Sequence, residues 1–116
     1  MQKLGHQILY SASDIVNFLE CGHLTSLDLR HLETPLPLAQ EDEPLALVQA
    51  KGLEHERAYL EKLRVQGLRI VDVSEAGDSL EARLRRTEAA MREGAEAIYQ
   101  AAFRHGSYVG HADFLL

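Results

Sequence analysis

Tryptophan is absent from the chain, and cysteine occurs once in 116 residues. One cysteine cannot close an internal disulfide, so the disulfide-framed secreted modules are excluded. No apolar run approaches the roughly 20 residues that cross a bilayer as a helix, and no membrane association is expected. The opening MQKLGHQILYSASD has no continuous apolar core of the kind that directs export, which makes the cytosol the expected compartment. Positive charge is also in short supply: 12 Lys and Arg against 18 Asp and Glu leave a net charge of −6. That balance excludes a surface built throughout to coat nucleic acid, while leaving room for a local site that cuts it. What is present, 46% hydrophobic and 26% charged residues, is the profile of one globular domain over residues 1–116.

The few prolines, Pro35, Pro37 and Pro44, all fall within 34–44, where an acidic run accompanies them. This stretch reads as a loop, with Pro44 suited to the first turn of the next helix. Before it, Gln7–Tyr10 reads as a short strand or an ordered arm. Ser11-x-x-Asp14 partly resembles a capping box, and Ile15, Phe18 and Leu19 recur at helical spacing. Helical pattern continues to about Glu33, with a break expected near Cys21-Gly22. After the loop, a long helix is predicted from Pro44 to Gln66, ending at Gly67. Ile70, Val71 and Val73 mark a short strand. Asp78 or Ser79 caps a helix over roughly 79–93 that stops at Gly94. Residues 96–116 read as a hairpin turning at His105-Gly106, with Val109, His111, Asp113 and Leu115 on one face. Helix, helix, strand, helix and hairpin make an α+β fold with some α/β character.

Two places break the pattern. In the long helix, Leu45, Val48, Tyr59, Leu60 and Leu63 form an apolar stripe at about 100° per residue. Gly52 and Glu56 fall inside that stripe, and His55 lies on its edge. A helical glycine costs about 1 kcal/mol against alanine, and a carboxylate facing a core needs a partner or a metal. The plain alternative is that Gly52 eases packing, His55 is half-exposed and Glu56 reaches solvent. The second break is Asp113, in the apolar strand Ala112-Asp-Phe-Leu-Leu. Facing a helix that presents His55, it would contribute to a hard, oxygen-rich metal site; alternatively it sits on the solvent face of an edge strand.

Three segments together resemble the RecB-like nucleases of the PD-(D/E)XK superfamily, and among them a bacterial group related to the CRISPR-associated exonucleases. Ser11-Ala-Ser-Asp-Ile-Val-Asn-Phe-Leu-Glu-Cys21-Gly-His-Leu is similar to their N-terminal helix. Gly52-Leu-Glu-His55-Glu56 is similar to their first motif, and Val109-Gly110-His111-Ala112-Asp113-Phe114 to their second. The resemblance implies metal-dependent phosphodiester hydrolysis on DNA. It implies that His55 and Asp113, with Glu56 as a further candidate, are catalytic metal ligands for Mg²⁺ or Mn²⁺, and that Gly110 permits close backbone approach. It also implies that Cys21 is one of four ligands to a 4Fe–4S cluster in a longer protein. Gln100 falls on the strand before the aspartate strand, with no chemistry assigned to it.

The family's third motif, Glu-x-Lys, and its distal cysteines do not occur in these residues. On the resemblance, residues 1–43 are the helical N-terminal segment and loop, and 44–116 the first half of the nuclease core. The expectation is therefore weak metal binding and no useful catalysis by this chain alone. Because Phe114-Leu115-Leu116 would leave a strand edge open, a further strand is expected beyond it. The competing function is a non-catalytic module that pairs this edge with a partner strand or with itself.

The remaining features have plainer readings. A lone Cys21 is most often a small apolar residue, and with His23 it makes a poor zinc pair. Arg83, Arg85, Arg86 and Arg92 form either a phosphate-gripping patch or, with Glu81, Glu88 and Glu93, a salt-bridged solvent face. His6, His31 and His105 read as surface or turn residues. Tyr10, Tyr59, Tyr99 and Tyr108 are too scattered in sequence to predict a stacking platform.

Overall fold

The computed structural model describes residues 1–38, 40 and 42–116. The elements run β1 (Gln2–Leu4), β2 (Gln7–Leu9), α1 (Ala12–Glu20), α2 (Gly22–Glu33), α3 (Glu43–Val65), β3 (Ile70–Asp72), a 3-10 turn (Val73–Ala76), α4 (Leu80–Glu93), β4 (Ala97–His105) and β5 (Tyr108–Leu115). The fold is α+β. Of the loop predicted over 34–44, Ala39 and Glu41 lie outside the described residues, and the helix begins one residue before Pro44. The chain divides into two compact units, Met1–Leu38 with Phe103–Gly110, and Ala39–Ala102 with His111–Leu116. The sequence suggests one domain with an internal boundary near residue 43. Of the hairpin, Phe103–Gly110 fall in the first unit and His111–Leu116 in the second.

In the first unit, β1 and β2 pair antiparallel, with Gln2 opposite Leu9. The expected arm is thus a two-stranded ribbon. The chain then makes a single parallel bridge between Tyr10 and Tyr108. The Tyr10 N–H donates to the Ser107 carbonyl at 2.8 Å, and the Val109 N–H donates to the Tyr10 carbonyl at 2.9 Å. Ser11 caps α1 in a complete capping box: its hydroxyl accepts from the Asp14 N–H, and the Asp14 carboxylate accepts from the Ser11 N–H at 2.7 Å. Cys21, in extended backbone, ends α1 and starts α2, which is the predicted break. The half-buried His31 is more than a surface residue, because its Nδ1 accepts the Leu36 N–H at 2.8 Å beyond the end of α2.

In the second unit, the sheet order is β3-β4-β5, with β3 parallel to β4 and Val71 opposite Ile98. Parallel neighbours need a crossover, and α4 supplies it. Ser79 caps α4, and Gly94 ends it in the left-handed conformation, φ 74°. Arg69 fastens the two ends of the crossover. Its guanidinium donates to the Gly94 carbonyl at 2.6 Å, its N–H donates to the Glu96 carboxylate, and its carbonyl accepts from Glu96 and Ala97. Val73, Ala90, Ile98 and Ala101 form the core cluster, with Leu115 and Ala112 packed against it. In α3, Leu60 and Leu63 are buried, as the stripe predicts. Leu45 and Val48 are instead 50% and 68% exposed; the first turns of the helix have no apolar partner among the described residues, so periodicity there is not matched by burial.

Candidate functional site

Strict alternation would put Ile98 and Ala101 on opposite faces of β4. Both nevertheless join the one core cluster. The reason is Gln100, which has φ 57° in the middle of the strand. A left-handed residue inserted into a strand is a bulge, and it shifts the facing of the later strand residues by one position. A buried threonine covers the local cost. The Thr87 hydroxyl on α4 accepts the Ala102 N–H at 3.0 Å and donates to the Arg83 carbonyl at 2.9 Å. A non-glycine residue held at positive φ costs of order 1–3 kcal/mol, and such residues concentrate at functional sites.

The bulge aims the Gln100 amide at two carboxylates. Its Nε2 donates to Glu56 Oε1 on α3 and stands 3.5 Å from Asp113 Oδ1 on β5. A helix and the two strands of the hairpin, α3, β4 and β5, thus meet at one amide nitrogen. Two carboxylates gathered around a single neutral donor repel each other, an arrangement that a bound cation would relieve. Beneath them, Phe114 packs edge-on to Tyr59 at 4.8 Å and against Tyr99 at 5.2 Å. Burial first, then the adjacent Glu56 carboxylate, push the Tyr99 phenol above its ordinary value of 10.0. A carboxylate beside the ring opposes the negative phenolate.

Of the residues singled out from sequence, Glu56 and Asp113 come together, Glu56 half-buried and Asp113 exposed. His55 is exposed on α3 and is not brought to the pair: among the described residues no three His, Cys, Asp or Glu side chains are grouped so as to hold a metal ion. A Cβ built at Gly52 or at Gly110 meets no heavy atom within 4 Å. Gly52 therefore does not serve close helix packing, and among the described residues nothing makes a close approach to Gly110. Cys21 is a free, exposed thiol. As the sole cysteine it cannot complete the four-ligand set of an iron–sulfur cluster, so the residues present do not fit that group.

Gln100 is the residue whose role the sequence left unassigned. The signal was a long polar side chain inside the apolar run Ala97-Ile-Tyr-Gln-Ala-Ala. On α4, three of the four arginines are paired: Arg83 with Asp78, Arg86 with Glu93, and Arg92 with Glu88 at 2.6 Å. That face is a salt-bridged one, with Arg85 exposed. The tyrosines are less scattered than their spacing suggests. Tyr59 and Tyr99 meet on Phe114, and Tyr10 pairs with Tyr108 at 6.3 Å. No helix among the described residues is long and apolar enough to cross a membrane. Comparison with family models, with curated proteins and with solved structures gives no match.

Proposed function

We propose that this chain is the N-terminal part of a metal-dependent, RecB-like deoxyribonuclease of the cytosol, and that it carries half of the hydrolytic site. The observation that supports this reading is the convergence of Glu56 and Asp113 on the bulged Gln100 amide. Two carboxylate oxygens at one point suit a hard divalent cation. Glu56 and Asp113 would hold Mg²⁺ or Mn²⁺, and His55, which stands outside the pair, would join them as a ligand favouring Mn²⁺ only on turning toward it. When bound, such an ion supplies charge neutralisation at the scissile phosphate and activates water. The chain's own part is to orient the carboxylates. Gln100 spaces them, and the Tyr59–Phe114–Tyr99 packing fixes the strand that carries Asp113 against the helix that carries Glu56. The Glu-x-Lys motif that completes such a site in the resembled family does not occur in this sequence, so cleavage by the chain alone is not expected.

Manganese titration monitored by electron paramagnetic resonance tests this. We expect saturable uptake with a dissociation constant of roughly 0.1–1 mM, the weak end of carboxylate sites, abolished in Glu56→Gln and in Asp113→Asn. No saturable uptake, or uptake unchanged in both variants, overturns it. Robust Mn²⁺-dependent DNA cleavage lost in Asp113→Ala would show the site to be complete.

A second reading is favoured by the place of β5 at the sheet edge: a non-catalytic module that adds a partner strand there. Concentration-dependent self-association that protects the His111–Leu115 amides from exchange, without manganese uptake, would select it.

A further inference from the structure

Two adjoining clefts lie within the first unit, and neither is lined by a residue of the Glu56–Gln100–Asp113 cluster. A cleft of about 390 Å³ is lined by Tyr10, Ile15, Phe103, Arg104, His105 and Tyr108, among others. A neighbouring cleft of about 360 Å³ shares Tyr10, Ile15 and Tyr108 as its wall. The shared wall is apolar but not covered: Tyr108 is 57% exposed and Ile15 44% exposed. Volumes of this size suit a small ligand rather than a side chain or two.

The charge at the first cleft runs against that of the chain as a whole. The protein is −6 overall, yet the basic side chains lining this cleft are Arg104 and His105, with no carboxylate beside them in the lining. Asp14, on the wall of the second cleft, is occupied by the Met1 ammonium at 2.8 Å and by Ser11. Arg104 is also held in advance. Its Nε donates to the Gly106 carbonyl at 3.1 Å and one terminal nitrogen donates to Gln7 Oε1 at 2.5 Å. The Gln7 amide in turn donates to Ser107 Oγ at 3.1 Å. Two of the five guanidinium donors are thereby used, and the others remain for an anion. A fixed cation beside the tilted pair of half-buried Tyr10 and exposed Tyr108 presents a ring face and an anion-binding point side by side.

We infer that this cleft binds the nucleoside monophosphate unit, with the base against Tyr108 and Tyr10 and the phosphate on Arg104 and His105. The unit can come as a free nucleotide or as part of a single strand; a base paired in a duplex has no free face to offer. The inference does not depend on the metal site, because its test is run in EDTA.

The test is a ¹H–¹⁵N NMR titration of the 116-residue chain with thymidine 5′-monophosphate. Shifts at Ser11, Ala12, Tyr108 and Val109 are expected. Thymidine and inorganic phosphate, each lacking half of the ligand, should bind at least about tenfold more weakly; loss of one stacking or charged contact has about this effect. Tyr108→Ala, at an exposed position, and Arg104→Gln should each weaken binding by about the same factor, while Glu56→Gln leaves it unchanged. An eight-nucleotide thymidine strand separates the sources. Binding at least about tenfold tighter than the mononucleotide assigns a nucleotide within a strand, and equal binding assigns the free one. Absence of shifts with either, phosphate alone matching the mononucleotide, or unchanged binding in both variants overturns the inference. So does self-association through this face that Tyr108→Ala abolishes.

Discussion

The two units of this chain are held together by different physics. In the second, Leu60, Leu63, Val73, Ala90, Ile98 and Ala101 are buried, and the polar contact at its centre is the single threonine that serves the bulge. In the first, the buried apolar residues among those described are Leu9 and Val109. Polar staples take over there: the capping box, the Met1–Asp14 pair, and the Gln7 amide across the hairpin tip. Apolar burial is insensitive to pH and confers stability in proportion to area. Charge-assisted contacts are directional, sensitive to protonation, and leave large apolar side chains such as Phe18 and Leu19 in water. One unit is thus suited to fixing carboxylates in place, and the other to presenting an uncovered surface.

Substitutions can break or sharpen this contrast. The largest effect is expected from Phe114→Ala, which removes the ring that joins Tyr59 to Tyr99. A loss of about 3 kcal/mol is expected in urea unfolding. Thr87→Val keeps the volume but leaves the Ala102 N–H without its acceptor, at about 2 kcal/mol. Asp14→Ala should cost about 1 kcal/mol, the value of a helix cap, with faster amide exchange confined to the start of α1. Tyr108→Ala should stay within about 0.5 kcal/mol, as for an exposed residue. If Asp14→Ala cost more than Phe114→Ala, the contrast would be wrong.

Protonation sharpens it further. Burial works against ionisation of Asp14, but the Met1 ammonium and the Ser11 N–H and hydroxyl outweigh it and hold the carboxyl below its ordinary 3.8. A depressed carboxylate stabilises the fold fully above the unfolded value, and this contribution disappears as pH falls through the lowered one. Protection of the α1 amides, taken relative to their intrinsic exchange at each pH, should therefore fall as acid is added below about pH 4, the carboxylate range. Tyr99 has the opposite sign. Its raised phenol favours the folded state below pH 10, and that advantage is lost as pH rises through its native value.

Local punctuation was readable in the sequence because its causes are local. Ser11, Ser79, Gly67 and Gly94 act through hydrogen bonds and dihedral angles a few residues away, and the elements they bound lie within a few residues of expectation. Leu45 and Val48 were not readable, because periodicity states which face is apolar and not whether anything covers it. The bulge escaped for a related reason. Its conformation depends on Thr87 and Glu56, residues remote in sequence whose proximity to β4 is a tertiary fact. Asp113 and Glu56 stood out as carboxylates among apolar neighbours. Their meeting point on Gln100 is a property of the folded chain alone.

The Arg69 clasp has a consequence for the order in which this chain folds. A three-residue strand parallel to its neighbour has too few contacts to form by itself, and the neighbour is separated from it by the whole of α4. By bonding both the end of α4 and the start of β4, Arg69 closes that long loop at its neck. β3 should therefore appear only after α4 has docked, and its amides should exchange as one cooperative group with the end of that helix. Protection of β3 that outlasts α4 would rule this order out. On this account the first strand of the sheet in sequence joins it only after the helix that follows it has found its place.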